Sequence, residues 1–208
     1  MVIVFEGIDG TGKSTVARRI FEEFNSLFPG KFFLASEPSK TELGIELKNI
    51  LTSGRFDLNI FEQTLLFTAD RSYTIRKFVI PYSLEGKVIL MDRSFVSTYT
   101  YQIMNLEDES YINLLTNLTE RSIENLFVDI LFYFDCPSEI SLQRIGEKDG
   151  IEKKGSDFIE KVRNNYKKFI KLGHKSIKRI IEIDSTKPLE EVYSKVKLKI
   201  MEEVGFIV

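Results

Sequence analysis

The chain has 208 residues, 43% of them hydrophobic, and a formal net charge of −2. This length suits one well-buried domain and is short for two, so we expect a single domain over residues 1–208. The near-neutral charge gives no sign of a nucleic-acid partner or a membrane surface. The single cysteine, Cys136, excludes a disulfide framework within the chain and is expected to be a core thiol. No apolar run reaches 18 residues and the first predicted strand leaves no room for a signal peptide, so we expect a soluble, cytoplasmic protein.

The first predicted element is a buried strand that leads directly into a phosphate-binding loop. Residues 2–5 are Val, Ile, Val and Phe, a run typical of a strand in a parallel sheet. The P-loop spacing follows, Gly-x-x-x-x-Gly-Lys-Ser, and a helical apolar pattern begins at Val16. This order predicts binding of a nucleoside triphosphate. The alternative is a glycine-rich turn that only links the strand to the helix.

Each residue type of this loop has a physical role at the phosphates. Glycines let backbone N–H groups curl around phosphate oxygens, and the helix that begins near Lys13 points its positive end at them. Lys13 adds a mobile charge for the β- and γ-phosphates, and the Ser14 hydroxyl can ligate Mg²⁺. The residues expected to bind the triphosphate are Gly7, Gly10, Thr11, Gly12, Lys13, Ser14 and Thr15.

Strands and helices alternate along the rest of the chain. Four further strands are predicted, over residues 31–36, 87–91, 129–135 and 179–183. This alternation predicts an α/β fold, a five-stranded parallel sheet with helices on both faces. Ligands of such sheets lie beyond the carboxyl ends of the strands. The polar residues at these ends are Glu37, Asp92, Arg93 and Asp184.

Two long helical patterns are separated by several predicted strands and helices. Residues 58–82 have one long helical pattern, and residues 156–177 have another. His174, the only histidine, falls on the second, beside several lysines, and we expect it to be a solvated surface residue. Between residues 146 and 155 the sequence is charged and interrupted by glycines, which is typical of a loop.

Four motifs in order along the chain resemble those of the thymidylate kinase family. Residues 5–15 read FEGIDGTGKST, with Asp9 where the family's P-loop has an acidic residue. Residues 65–71 read LLFTADR and residues 92–102 read DRSFVSTYTYQ, similar to Leu-Leu-Phe-x-Ala-(Asp or Asn)-Arg and Asp-Arg-(Tyr or Phe)-x-x-Ser-x-x-Ala-Tyr-Gln. Residues 146–152 and the helix after them resemble the lid region of bacterial members. The resemblance implies a P-loop kinase fold with a short lid at about 146–155, a homodimer, and Mg²⁺-assisted phosphoryl transfer from ATP to dTMP.

The resemblance also implies roles for particular side chains. Phe67 would stack on thymine and Arg71 would hydrogen-bond its exocyclic oxygen; the alternatives are a core phenylalanine and a solvated helix charge. Arg93 would bridge the monophosphate and the transferring phosphoryl group, which suits a planar, permanently charged guanidinium. Asp92 would hold Mg²⁺ through water or orient Arg93. Asp9 would contact the sugar 3′-hydroxyl or order the metal shell.

The remaining implied contacts lie around the sugar and the two bases. Tyr101 would press on the sugar at C2′ and select deoxyribose, unless it is a packed helix aromatic. Gln102 would meet the thymine edge, and Ser97 of the same motif would belong to the substrate site. Arg144 would pack against adenine, unless it is an exposed helix charge, and residues 184–187 would line the other side of adenine.

Several departures from the family's pattern leave other functions open. Ser94 stands where the family has an aromatic residue, Val96 where many members have an acidic one, and Gly10 where one branch has a catalytic arginine. We therefore expect lid lysines to supply transition-state charge, unless they form a solvated face. The candidates are Lys148 and Lys153, with Lys154 beside them. The alternative functions are another nucleoside or nucleoside-monophosphate kinase, or a catalytically weak nucleotide-binding paralogue.

Overall fold

The computed structural model describes residues 1–145 and 155–205. Five strands form one parallel sheet in the order β2-β3-β1-β4-β5. They are β1 Val2–Glu6, β2 Phe32–Ser36, β3 Val88–Asp92, β4 Ile130–Asp135 and β5 Ile180–Asp184. Each strand starts and ends within one residue of its predicted bounds. The predicted α/β architecture is confirmed.

The helices lie between and after these strands. They are α1 Lys13–Leu27, α2 Glu42–Thr52, α3 Ile60–Thr74, α4 Ile80–Leu84, α5 Phe95–Tyr101, α6 Glu109–Ser122, α7 Ser138–Arg144, α8 Ser156–Leu172 and α9 Leu189–Val204. In the described part of the chain, none has the length together with the apolar composition of a transmembrane span.

The long helical segment predicted over residues 58–82 is interrupted. A π-helical turn, Ile75–Val79, joins α3 to α4. Pro81 lacks the N–H that a continuous α-helix would use, and the interruption falls in the turn that precedes it. Periodicity located the segment but did not reveal the change of helix type.

The central strand β1 is buried on both faces, and this fixes the layers. Val4 packs in an apolar cluster with Ile75 and Phe95, while Phe5 packs on the opposite face with Ile20 of α1. Because side chains of a strand alternate between faces, β1 needs helices on each side. Because β1 lies between β3 and β4 and pairs with both in parallel, the carboxyl ends of these three strands lie together at one edge of the sheet.

The expected solvated position of His174 is wrong. Helix α8 ends at Leu172, and Gly173, with φ 70°, turns the chain back over the protein. The His174 ring stacks on Phe169, and its Nε2 lies 2.8 Å from the Glu120 carboxylate. Its side chain is only 13% exposed. The expected core position of Cys136 is confirmed.

Candidate active site

The loop between β1 and α1 packs so closely that two positions require glycine. A Cβ atom at Gly10 would lie 2.1 Å from the carbonyl oxygen of Ser141 in α7, and one at Gly7 would lie 2.6 Å from that of Phe134 in β4. Gly10 also has φ 79°, in the left-handed region. In this chain, the close approach of Gly10 to the Ser141 carbonyl leaves no room for an arginine side chain. One branch of the family that the motifs resemble has an arginine at this position.

Gly10→Ala is expected to destabilise the protein and weaken triphosphate binding. The added Cβ would overlap the Ser141 carbonyl, and such overpacking costs roughly 1–3 kcal/mol of unfolding free energy. Thermal unfolding and calorimetric ATP titration measure both effects. Gly30→Ala is the matched control, because Gly30 has a similar φ of 74° with nothing within 4 Å of its Cβ position. Equal losses in the two variants would contradict the close-contact account.

Asp9 lies between two buried cations. Its Oδ1 is 3.3 Å from Lys13 Nζ and also accepts a hydrogen bond from Arg93 Nη2. Burial by itself raises the pKa of Asp9, but the positive charges of Arg93 and Lys13 outweigh it and hold that pKa well below its usual range. Burial, followed by repulsion from Arg93, lowers the pKa of Lys13. Two cations that share one carboxylate form a site suited to phosphate oxygens.

Arg93 is held in place by its backbone and by the P-loop. Its φ of 73° is left-handed, a strained conformation for a non-glycine residue that is typical of functional sites. Its Nη1 donates to the Gly7 carbonyl at 3.2 Å and to Ser97 Oγ at 3.0 Å. Burial works against the charge, but attraction from Asp9 raises the pKa of Arg93 further above its usual value. Arg93 is thus a fixed cation at the end of β3.

A cavity of about 600 Å³ lies beside the P-loop. Its lining includes residues 9–15, Arg144 and residues 185–189. Arg144 is tied to this wall, since its Nη1 donates to the Ser185 carbonyl at 2.7 Å. The structure thus brings Arg144 and the segment after β5 to the P-loop. Gly7, which the sequence also assigned to the triphosphate, is not among the residues that line this cavity, and its carbonyl accepts from Arg93.

A second cavity, of about 1020 Å³, meets the first at the P-loop, because Asp9 and Ser14 line both. Its walls come from the ends of β2 and β3 and from α1, α2, α3 and α5. All the residues that the family resemblance assigned to the substrate line it: Asp9, Phe67, Arg71, Arg93, Ser97, Tyr101 and Gln102.

Arg71 is a buried cation, not a solvated helix charge. It is 1% exposed and forms a two-pronged ion pair with Glu37, with Nε and Nη2 at 2.9 and 2.7 Å from the carboxylate. Nη2 also donates to Thr98 Oγ1 at 2.7 Å, and Nη1 donates to Ser122 Oγ at 3.3 Å. A guanidinium has five N–H donors. For the fifth, on Nη1, no acceptor is found in the described part of the chain, and Arg71 is among the residues that line the cavity.

Glu37 lines the second cavity and pairs with Arg71, a partner that the sequence did not reveal. It was placed at the end of β2 with other polar residues, but nothing in its spacing pointed to Arg71, 34 residues away. Burial raises the pKa of Glu37, while the charge of Arg71 opposes this shift. The sequence signal that could have suggested this pair is a carboxylate, Glu37, at the carboxyl end of a strand, together with the arginine of the LLFTADR motif.

Tyr101 is both packed and part of the cavity wall. Its ring lies edge-on to Tyr166, with centroids 6.2 Å apart, and the Arg93 guanidinium lies 5.3 Å from the ring centroid. Its hydroxyl is buried without a hydrogen-bond partner among the described residues. Such an orphaned group at a cavity is a candidate contact for a bound ligand.

The two residues expected at the metal fit Mg²⁺. Asp92 Oδ1 is buried at the end of β3 with no hydrogen-bond partner in residues 1–145 and 155–205. Ser14 and Asp92 line the same cavity. Carboxylate and hydroxyl oxygens are the ligands that Mg²⁺ prefers, with phosphates and waters completing its shell.

Two of the departures from the family's pattern lie beneath the cavity. Ser94 is buried and donates to Glu6 at 2.8 Å, while its Oγ accepts from the Val96 N–H at the start of α5. Val96 is fully buried in the apolar core. Both positions thus have structural roles in this chain. Lys148, Lys153 and Lys154 lie outside the described residues.

A strand, a P-loop and a helix at one edge of a parallel sheet, beside a second cavity whose lining includes Arg71 and Arg93, define a P-loop nucleotide kinase. The sequence model of thymidylate kinase matches residues 5–196. The chain therefore belongs to the thymidylate kinase family, and the resemblance seen in its motifs is confirmed.

Curated relatives cover nearly the whole chain. The thymidylate kinase of Thermosipho africanus is 35% identical over 95% of this chain and 96% of its own length. That of Thermosipho melanesiensis is also 35% identical, over the same shares. That of Kosmotoga olearia is 31% identical over 94% of this chain and 93% of its own length.

Proposed function

We propose that this chain transfers the γ-phosphoryl group of ATP to dTMP, giving dTDP and ADP. One observation carries the proposal: Asp9 and Ser14 line both cavities, so two nucleotides can meet with their phosphates at the P-loop. Lys13 and Arg93 lie on either side of Asp9 at this meeting point. Family membership and the named relatives support the same reaction.

The donor nucleotide occupies the smaller cavity. Backbone N–H groups of the P-loop and the positive end of α1 hold its phosphates, and Lys13 neutralises the β- and γ-oxygens. Arg144 and the segment after β5 line this cavity, and they would contact the adenine. Ser14, and Asp92 through water, would hold Mg²⁺, which would supply positive charge for the phosphates of the donor.

The acceptor monophosphate lies against Arg93. Its oxygen is already anionic and attacks the γ-phosphorus directly, so no general base is required. The bond from the γ-phosphorus to the β–γ bridging oxygen breaks, and ADP leaves. Arg93 contacts both phosphoryl groups through its planar fork and holds them in line. Lys148 and Lys153 belong to this proposal as further charges on the transferring group.

Recognition of the base rests on Arg71 and Phe67. The free Nη1–H of Arg71 can donate to the exocyclic oxygen of thymine, whereas cytosine presents an amino donor at the same position. Cytosine would leave this buried donor unpaired, and such a loss costs about 1–3 kcal/mol. Phe67 offers a flat apolar surface for stacking. Ser97 and Gln102 complete the cavity, and Tyr101 presses on C2′ of the sugar.

A single kinase domain over residues 1–208, a homodimeric state and a cytoplasmic location belong to the same proposal. They rest on the family resemblance and on the sequence expectation.

A coupled assay of ADP production tests the proposal. With ATP as donor, kcat/KM is measured for dTMP, dUMP, dCMP, dGMP and thymidine. We expect dTMP to give the highest value, and dCMP one at least about tenfold lower, as an unpaired donor requires. A higher value for another acceptor would favour a different nucleotide kinase. ATP binding without transfer to any acceptor would favour a weak paralogue.

Removing Arg71 should weaken dTMP binding and leave ATP binding nearly unchanged. Because Arg71→Ala alone would leave Glu37 buried without its partner, the variant tested is Arg71→Ala with Glu37→Gln. Loss of a charge-assisted hydrogen bond predicts a KM for dTMP raised about 10- to 100-fold. Steady-state kinetics for both substrates measure this. Arg76→Ala, on an exposed position of the adjacent turn, is the control. Equal increases in both KM values would contradict the assignment.

A further inference from the structure

The P-loop motif contains a buried carboxylate that the mechanism above does not use. Glu6, at the end of β1, is fully buried. Its Oε1 accepts from Ser94 Oγ at 2.8 Å and from the Ser97 N–H at 3.3 Å. Its Oε2 accepts from Ser97 Oγ at 2.8 Å and from the Tyr166 hydroxyl at 2.7 Å. Four donors thus converge on one carboxylate.

These contacts determine where the two hydroxyl hydrogens point. An ionised carboxylate only accepts, and each hydroxyl has a single hydrogen. Ser97 Oγ and the Tyr166 hydroxyl oxygen are also 3.0 Å apart, so one could donate to the other. The contacts of both with Glu6 Oε2 are shorter, and hydrogen bonds to a carboxylate are the stronger ones, so we assign both hydrogens to Glu6. The lone pairs of both oxygens are left facing away from Glu6.

The Arg93 guanidinium also contacts these two hydroxyl oxygens. Its Nη1 is 3.0 Å from Ser97 Oγ and 3.5 Å from the Tyr166 hydroxyl oxygen. A guanidinium can only donate, and Nη1 carries two hydrogens. One goes to the Gly7 carbonyl, and the other is shared between the two hydroxyls, mainly by Ser97 at the shorter distance. Hydroxyls whose hydrogens are turned toward Glu6 can accept it.

We propose that Glu6 is a positioning residue for phosphoryl transfer: it fixes the hydrogen-bond direction of Ser97 and Tyr166 so that both accept from Arg93. This rests on the proposed function, in which Arg93 holds the two phosphoryl groups. Glu6 acts through the two hydroxyls.

Glu6→Gln is the informative substitution, because it keeps the shape of the side chain and replaces one of its two acceptor oxygens with a donor NH₂. An amide NH₂ at the Oε2 position would donate to Ser97 and Tyr166, and their hydrogens would have to find other acceptors. The neighbouring guanidinium offers none. The reversed amide would instead place its NH₂ against the Ser97 N–H, so either orientation leaves a donor unmatched. We expect kcat for dTMP phosphorylation to fall about 10- to 100-fold, with KM for ATP and the melting temperature changing much less.

Ser94→Ala is the matched control. Ser94 donates to the same carboxylate, but through Oε1 and away from Arg93. Ser94→Ala removes one hydrogen bond from Glu6 and the side-chain cap of α5, but it leaves the contacts of both hydroxyls with Oε2 in place. We expect kcat within about threefold of wild type, since no charged contact of the site is lost.

Coupling between substitutions separates a positioning role from general loss of packing. If Glu6 acts through the hydroxyls, adding Glu6→Gln to a Ser97→Ala, Tyr166→Phe variant changes kcat by less than about threefold. Independent effects would multiply, and that outcome overturns the proposal. If Glu6→Gln does not fold, Tyr166→Phe must lower kcat more than Ser94→Ala does. Equal effects of those two overturn the proposal too.

The results that would reject the role of Glu6 differ from those that would reject the proposed function. An active wild type with an inactive Arg93→Ala variant and an unimpaired Glu6→Gln variant rejects only the role of Glu6. A folded wild type that transfers no phosphoryl group to dTMP rejects the function on which that role rests.

Discussion

Lys13→Ala is expected to lower kcat for phosphoryl transfer by about a thousandfold or more while the protein stays folded. Lys13 lies at the start of α1, and among the described residues its ammonium group donates to two acceptors, the Ile8 carbonyl and Asp9, both at 3.3 Å. Those contacts contribute little to stability, and Asp9 keeps Arg93 as a partner. The ammonium charge is most valuable when negative charge shifts toward the β–γ bridging oxygen.

Single-turnover kinetics and thermal unfolding measure this result. The control is Lys31→Ala, which removes an exposed lysine next to the opposite end of β2 and should leave kcat unchanged. A Lys13→Ala variant with wild-type turnover and an unchanged melting temperature would contradict the role given to the P-loop.

Arg93→Ala is expected to have an effect of similar size, because Arg93 contacts both phosphoryl groups in the proposed mechanism. An arginine that stabilises the transition state of phosphoryl transfer is worth about 10³–10⁵ in kcat. The substitution also removes the largest attractive influence on Asp9, so the pKa of Asp9 should rise toward its usual value. Rapid-quench measurement of bound substrates separates loss of the chemical step from loss of dTMP binding.

Arg93→Lys distinguishes charge from geometry in the same experiment. A lysine keeps the positive charge but cannot contact two phosphoryl groups through a planar fork. We expect it to recover less than about a tenth of wild-type kcat, since a point charge replaces a two-pronged contact. Full recovery by lysine, or an Arg93→Ala variant within tenfold of wild type, would contradict the bridging role.

The sequence predicted the sheet and the phosphate loop because both are encoded locally. Runs such as residues 2–5 and 129–135 are buried on both faces, and their apolar continuity marks them as strands. The P-loop has a fixed spacing between adjacent elements. The substrate residues came from matching motifs, and the structure brings them to one cavity.

Contacts between distant parts of the chain could not be predicted in this way. The Glu37–Arg71 pair and the Glu6–Tyr166 hydrogen bond join residues 34 and 160 positions apart, and no local pattern encodes either. The expectation that His174 is solvated was wrong for the same reason. Its lysine-rich neighbours suggested solvent, whereas the turn at Gly173 places the ring against Phe169 and Glu120.

The transfer of labelled phosphate tests the central claim most directly. The protein is incubated with Mg²⁺, dTMP and ATP carrying ³²P at the γ-position, and the nucleotides are then separated. The account predicts label in the β-phosphate of dTDP, with one ADP formed for each dTDP. Label that appears only in inorganic phosphate, with dTMP unchanged, would contradict it.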